Sequence, residues 1–281
     1  MNKLLFLIGI VLLSTGFVFS QDEPVYSPFE SPYILDNQTT FVNYEKTLEM
    51  AIQHKFGTFE NGITDIYGIY SSANIRIGFD YVPIKNLQIG YGLTRMEMTH
   101  DFNVKYTVFE QTQNNSKPFA LAVYGNLGIN GLEEEQLGAN NDFSQRLSMF
   151  GQLLMSRKFI DKITVQLGAS YSHFNMVDIA KYDYDRVALH FSGRYKFAGT
   201  GAIIVNYDQP LDVLRLTGHE DFDLNPNISI GYEFFTGTHD FQIYMGYTNH
   251  LLQQHAMVKE TKDFEFEMFN FGFLITRLWP F

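Results

Sequence analysis

FEFEMFNFGFLITRLWPF, residues 264–281, is the stretch whose reading decides the fold. Phe269, Phe271, Phe273 and Ile275 recur at period two, opposite Asn270, Gly272 and Thr276. Successive side chains of a strand point to opposite faces, so the segment reads as a strand with one aromatic face and one small or polar face. Such a strand suits a wall between hydrocarbon and an aqueous lumen, with Trp279 and Phe281 at the interface that aromatic rings favour. Two residues interrupt the pattern: Arg277 on the apolar face, and Pro280, which has no ladder donor. The parity also changes near Met268 and Phe269, because Phe264 and Phe266 are even-numbered. Either a bulge or a strand running on above the membrane accounts for this. The competing reading is an aromatic edge strand of a soluble sandwich. A long, uncovered aromatic edge would aggregate in water, which favours the membrane.

Working outward, the other end of the chain agrees. Residues 1–20 carry one base (Lys3), the apolar run Leu4–Phe19, and Val18-Phe19-Ser20 as a small-residue cleavage site, the pattern of a secretory signal peptide. The chain has no cysteine, so neither a lipid-modified cysteine nor a disulfide is expected. Its 31 acidic residues outweigh 20 basic ones, which argues against a nucleic-acid partner. No later segment supplies the roughly 20 consecutive apolar residues of a membrane helix. Yet there are 27 Phe, 17 Tyr and 22 Gly, a composition that suits strands in a membrane.

Residues 21–46 contain Pro24, Pro28 and Pro32 and no clear period. They read as either a periplasmic lead-in or a plug-like segment, with a short strand near Gln38–Val42 as an option. From 47 to 281 alternation is steady. Leu48, Met50 and Ile52 oppose Glu49, Ala51 and Gln53; Ala73, Ile75 and Ile77 oppose Asn74, Arg76 and Gly78. Ile163, Val165 and Leu167 oppose Thr164, Gln166 and Gly168; Val187, Leu189 and Phe191 oppose Arg186, His190 and Ser192. The count is about twelve strands (range about 10–14), even as single-chain bacterial barrels require. The fold class expected is therefore all-β: a transmembrane, antiparallel, up-and-down β-barrel in a Gram-negative cell outer membrane. The connections test this independently. Those near 83–86, 114–117, 160–161, 198–201 and 237–239 are short. The alternate ones are mostly long, Glu97–His100 excepted, as expected for short periplasmic turns and longer surface loops. Aromatics at the strand ends imply two girdles: Phe79, Tyr81, Tyr195, Phe197, Phe234 and Phe241 at one rim, and Phe56, Phe102, Tyr171 and Tyr247 at the other. His54 falls awkwardly on the lipid parity.

Four stretches, Ser31-Pro32-Tyr33-Ile34, Gln53-His54-Lys55-Phe56-Gly57, Ala73-Asn74-Ile75-Arg76-Ile77-Gly78 and Asn206-Tyr207-Asp208-Gln209-Pro210-Leu211, resemble an uncharacterised family of Bacteroidota outer-membrane β-barrels, a domain of unknown function. The resemblance implies an outer-membrane barrel and transfers no functional residues. The C-terminal aromatic likewise resembles the signal read by the barrel-insertion machinery, a partner expected beside outer-membrane lipid and lipopolysaccharide.

For chemistry, the inward parity offers Arg76, Lys105, Arg146, Arg186, His190, Arg194 and Lys196 as lumen or solute-binding candidates. Rings of basic side chains select anions in pores. The alternative is that they pair with Asp80, Glu49 and Glu233 and fill the interior. The acidic loop residues Glu133–Glu135, Asp178, Asp183, Asp212, Asp221 and Asp223 have no calcium-loop spacing and read as solvated charge. Ser172-His173 are neighbours in a strand and point to opposite faces, which does not make a nucleophile–base pair. His250 and His255 lack a metal-ligand pattern. The function expected is a narrow channel or solute-binding barrel for a small solute. The alternatives are a structural anchor for a surface or periplasmic assembly and, least favoured, a lipid-acting enzyme; no cofactor, metal or catalytic residue is assigned.

Overall fold

The computed structural model describes residues 22–26, 28–137, 142–177, 182–197, 199–212, 224–260 and 264–281. The signal peptide and Asp178, Asp221 and Asp223 lie outside these residues. Twelve antiparallel strands form one closed barrel: β3 (Thr47–Thr58), β4 (Asn74–Ile84), β5 (Leu87–Thr94), β6 (Thr99–Phe109), β7 (Ala120–Ile129), β8 (Leu147–Ile160), β9 (Ile163–Phe174), β10 (Asp185–Lys196), β11 (Gly201–Leu211), β12 (Asn227–Phe235), β13 (His239–Gly246) and β14 (Asn270–Pro280). Each strand pairs with its neighbour in the chain, and β14 closes the cylinder against β3, with Ile275 opposite Ile52. Closure leaves no edge, so every wall hydrogen bond is made inside the protein, the condition a bilayer imposes on any spanning structure.

The alternation read from the sequence is the alternation of the wall. In β8, Met149, Leu153 and Met155 are exposed while Ser148, Gln152 and Ser156 are buried. A cylinder presenting 49% of Leu153 outward is unfavourable in water and suited to lipid. Leu153→Arg, at mid-strand, is expected to destabilise the barrel in lipid by about 2–4 kcal/mol, measured by reversible denaturant unfolding in bilayers. A neutral result would place that face away from hydrocarbon.

The parity change before the terminal strand is a 3-10 turn at Phe266–Met268, so the strand begins at Asn270 rather than Phe264, and its register against β3 shifts between Asn270 and Gly272. Arg277 faces outward, with its guanidinium 5.3 Å from the Trp279 ring. His54 is also outward and stacks on Phe273 with ring centroids 4.9 Å apart. One girdle residue departs from expectation: Tyr247 lies past the end of β13, buried and packed against Phe264 and Phe269. The chain there has already turned in from the lipid surface.

Two segments outside the wall fill its interior. At the short-turn end, residues 22–26 run beside the β6–β7 turn, with Val25 N donating to Gln111 O at 2.8 Å. The chain then enters the barrel as a minimal hairpin, β1 (Tyr33–Ile34) and β2 (Asn37–Gln38). Leu35 sits at φ 53° in its turn. At the long-loop end, the β13–β14 connection turns inward, and its helix α2 (Gln253–Lys259), numbered after α1 (Glu134–Leu137), is buried along nearly its whole length. Among the described residues no helix is long and apolar enough to cross a membrane.

Candidate functional site in the barrel lumen

The inner face of a closed antiparallel wall is built from alternate residues of every strand, so its chemistry is that of the polar half of the pattern. The hairpin docks on this face mostly through polar contacts. Leu35 N donates to Gln242 Oε1 (2.7 Å), and Gln242 Nε2 returns a bond to Tyr33 O (3.1 Å). Thr40 N donates to Gln166 Oε1 (2.9 Å), and Gln166 Nε2 donates to Gln38 O (2.7 Å). Lys105 Nζ bridges Pro32 O and Gln38 Oε1, each at 3.0 Å, and Tyr33 Oη donates to Asp80. Three ion pairs lock the ends. Asp36, in the hairpin turn, meets Lys55 Nζ at 2.6 Å, both nearly fully enclosed; Glu30, nearer the entrance, meets Lys196 at 3.1 Å and Arg194 at 3.5 Å. Apolar packing comes from a cluster of Phe29, Ile34 and Leu35 with Ile204 and Tyr244, joined by Phe41, and from Tyr33 against Ala51 and Leu274.

The basic residues singled out from the sequence are distributed as follows. Arg76 is buried and bidentate on Asp101 (Nε–Oδ2 2.9 Å, Nη2–Oδ1 2.7 Å), with Nη1 on Gln53. Gly92 makes room for this pair: a Cβ there would lie 2.3 Å from Asp101 Oδ2 and 2.4 Å from Arg76 Nη2. Arg186 spans Asp183 (3.0 Å) and Asp212 (2.6 Å) near the loop end. Arg194 meets Glu233 at 2.5 Å. His190 lies between Ser170 and Asp208, 2.7 Å from each. Lys105 and Lys196 hold the hairpin as described. Arg146 is not on the wall: it ends a 3-10 turn before β8, and its guanidinium binds the carbonyls of Asn130 and Leu132.

These residues therefore do not form a ring of bare cations. Inside the barrel, the buried carboxylates Asp36, Glu49, Asp80, Asp101, Asp183, Asp208, Glu233 and Asp240 face Lys55, Arg76, Lys105, Arg186 and Arg194. The interior expected to be partly basic is balanced, with a slight acidic excess. A charge buried in a low-dielectric interior must be paired, and the hairpin supplies partners that strand parity alone does not reveal. Among the described residues no cluster of three or more His, Cys, Asp or Glu has the arrangement of a metal site.

Between the hairpin and α2, near Arg76, Tyr124 and Gln254, the remaining cavity is about 20 Å³, room for little more than one water. On either side the space widens. At the loop end, a vestibule of about 400 Å³ is lined by Glu97, Asn130, Tyr182, His250 and Lys259. At the short-turn end, a groove of about 470 Å³ is lined by Pro24, Tyr26, Phe41, Tyr44, Lys85 and Glu110. Among the described residues, two wider spaces are thus separated by a closely filled middle.

Comparison with known proteins adds the following. The family described as a membrane-bound β-barrel domain (DUF5777) matches residues 29–279. No curated protein matches. Among solved structures, an outer-membrane channel from Pseudomonas putida F1 (COG4313) is 12% identical with a TM-score of 0.50, over 85% of this chain and 97% of that one. The NanC porin is 6% identical with a TM-score of 0.48, over 83% and 99%. The KdgM porin is 8% identical with a TM-score of 0.46, over 84% and 99%. At these identities the likeness is one of fold alone.

Proposed function

We propose, because the chain belongs to the DUF5777 family of membrane-bound β-barrel domains, that this outer-membrane barrel is a gated channel held shut by its own N-terminal hairpin. The observation that carries this is the polar character of the hairpin–wall contact. Gln242, Gln166, Lys105 and Lys55 hold the hairpin by hydrogen bonds and an ion pair. Water can replace such bonds at small net cost, whereas a seal of interlocked apolar side chains would resist parting. The vestibule at the loop end has the volume of a small-molecule site. With Lys259, His250, Glu97 and Tyr182 on its lining, it suits a small polar solute waiting for the middle to open. In this reading the short turns face the periplasm, lipid and lipopolysaccharide surround the wall, and the C-terminal strand addresses the barrel-insertion machinery.

The chain has no cysteine, which makes a clean test available. Asn37 of the hairpin donates to Asn206 of β11 at 2.7 Å. An Asn37→Cys/Asn206→Cys pair, oxidised, is expected to abolish solute entry into proteoliposomes, and reductant is expected to restore it. Entry that ignores the crosslink would remove the hairpin as gate.

A second reading, a sealed barrel that anchors a periplasmic assembly, is favoured by one observation: Tyr26 and Tyr44 stand 76% and 73% exposed at the short-turn mouth. Paired tyrosines at a rim are of the type that anchors protein interfaces. A stoichiometric partner recovered with detergent-solubilised protein, and lost on Tyr26→Ala/Tyr44→Ala, would support it.

A further inference from the structure

Ser170 on β9, His190 on β10 and Asp208 on β11 project into the lumen from three adjacent strands. Ser170 Oγ lies 2.7 Å from His190 Nε2, and His190 Nδ1 lies 2.7 Å from Asp208 Oδ1. We propose that these three residues form a hydrolytic centre for carboxylic esters, closed beneath α2. The proposal goes beyond the gated-channel reading and does not depend on it.

The protonation pattern follows from the neighbours of Asp208. Asn37 Nδ2 donates to Oδ1 at 2.6 Å, and Asn206 and Asn227 donate to Oδ2 at 2.7 and 2.9 Å. An ionised carboxylate only accepts, so with His190 it gathers four donors and His190 carries its proton on Nδ1. Nε2 is then the free base facing the Ser170 hydroxyl, the tautomer that nucleophile activation requires. Asp208 acts through His190 as a positioning residue; Ser170 and His190 are the catalytic pair.

The surroundings suit an acyl group. Gly168 stands opposite His190, and a Cβ there would come within 3.1 Å of Leu154 Cδ2 and 3.3 Å of the His190 Cβ, so the pair is packed tightly at this point. Ala188, the register partner of Ser170, packs against Ala256 and Met257 of α2. Phe150 presents its ring edge-on to His190 at 6.4 Å. On the other side of Ser170, Gln152 stands opposite in the ladder, buried, with Oε1 lacking any partner. Its Nε2 donates to Asn37 Oδ1 at 3.2 Å; to serve a carbonyl oxygen on Ser170 the amide has to exchange that bond. The space now filled by Met257 would accept an unbranched acyl chain once α2 lifts.

The steps balance without any cofactor. Ser170 Oγ attacks the ester carbonyl as its proton passes to Nε2. The alkoxy C–O bond breaks, and the alcohol leaves with that proton. Water, deprotonated by Nε2, then attacks the acyl-serine and releases the acid and Ser170. Ser172-His173, the adjacent pair visible in the sequence, is not this centre: Ser172 is buried inward, whereas His173 bonds Asp185.

The test is covalent labelling of the full chain in detergent by an alkyl fluorophosphonate, with the adduct mapped by mass. An adduct on Ser170 is expected, formed faster in Met257→Ala, absent in Ser170→Ala and unchanged in Ser172→Ala. Turnover of p-nitrophenyl butyrate against diacylphospholipid in mixed micelles tells a soluble ester from a lipid one. Asp208→Asn is expected to lower kcat by about 10⁴ with KM little changed, the residual rate rising with pH as hydroxide replaces the base. If neither wild type nor Met257→Ala forms an adduct on Ser170 while both keep the heat-modifiable mobility of a folded barrel, the proposal fails. Turnover that persists in Ser170→Ala would also overturn it.

Discussion

Deleting residues 22–43 is expected to convert a closed barrel into a conducting one. In planar bilayers the intact protein is expected to hold a near-zero baseline, broken only by rare openings. The deletion variant should carry a steady current at least about tenfold above it, because twelve strands enclose more than the packed interior of eight. The effect comes in two stages. The hairpin runs up the lumen from the short-turn end until Asp36 meets Lys55, Ser229 and Gln253 of α2, but α2 remains against β8–β11, so the first variant should give a narrow pore. Replacing residues 250–260 with a short linker in the same background should widen it further. Removing the hairpin also removes Glu30 and Asp36, leaving Glu49, Asp80, Asp101, Asp183, Asp208, Glu233 and Asp240 against Lys55, Arg76, Lys105, Arg186, Arg194 and Lys196. Seven carboxylates opposite six cations predict weak ion selectivity. Silence from both deletions, with folded barrels confirmed by gel mobility, would favour the anchoring reading.

Asp36→Ala is the point substitution with the largest expected consequence. Asp36 meets Lys55 at 2.6 Å with both side chains at most 2% exposed, and it also accepts from Ser229 at 2.8 Å. Truncation leaves Lys55 buried with the Thr248 carbonyl, 2.8 Å away, as its remaining hydrogen-bond acceptor. Stranding one member of a buried pair costs about 3–5 kcal/mol. The wall is closed by its own ladders, so the cost falls on hairpin docking. That corresponds to an open population higher by about 10²- to 5 × 10³-fold, seen as frequent openings and as protease sensitivity of residues 22–46. Lys55→Met added to Asp36→Ala should recover most of the closed state, since the stranded charge is then gone. If the double variant opens as often as the single, the ion pair is not the latch.

The wall was legible in the sequence because a membrane barrel repeats one rule at every strand: apolar outward, polar inward. Leu153 and Gln152, or Ile275 and Thr276, announce their faces with no knowledge of their neighbours. Loop length was a weaker guide: the β5–β6 connection at 95–98 is shorter than the β6–β7 one at 110–119. The contents of the lumen were not legible, because they depend on contacts far apart in the chain. Lys55 shows its inward parity in the sequence, but nothing there says that Asp36 will meet it. The Ser170–His190–Asp208 alignment needs the registers of two ladders at once, with His190 opposite both Gly168 and Asp208, and periodicity gives the face of a residue but never its register. Arg146 misled because a polar residue just before a strand keeps the strand's parity while belonging to the loop. Tyr247 misled for the same reason at the far end of β13.

The hairpin is joined to the wall only through residues 44–46, where Tyr44 is exposed and the Lys46 backbone is pinned between the Phe281 N–H and the Val82 carbonyl. That tether gives the molecule a handedness of use. Like a stopper on a short chain, a hairpin leaving the lumen would come out at the short-turn mouth and stay tied to its rim. If the hairpin is the gate, a pull on that tether from the short-turn side is what would open it.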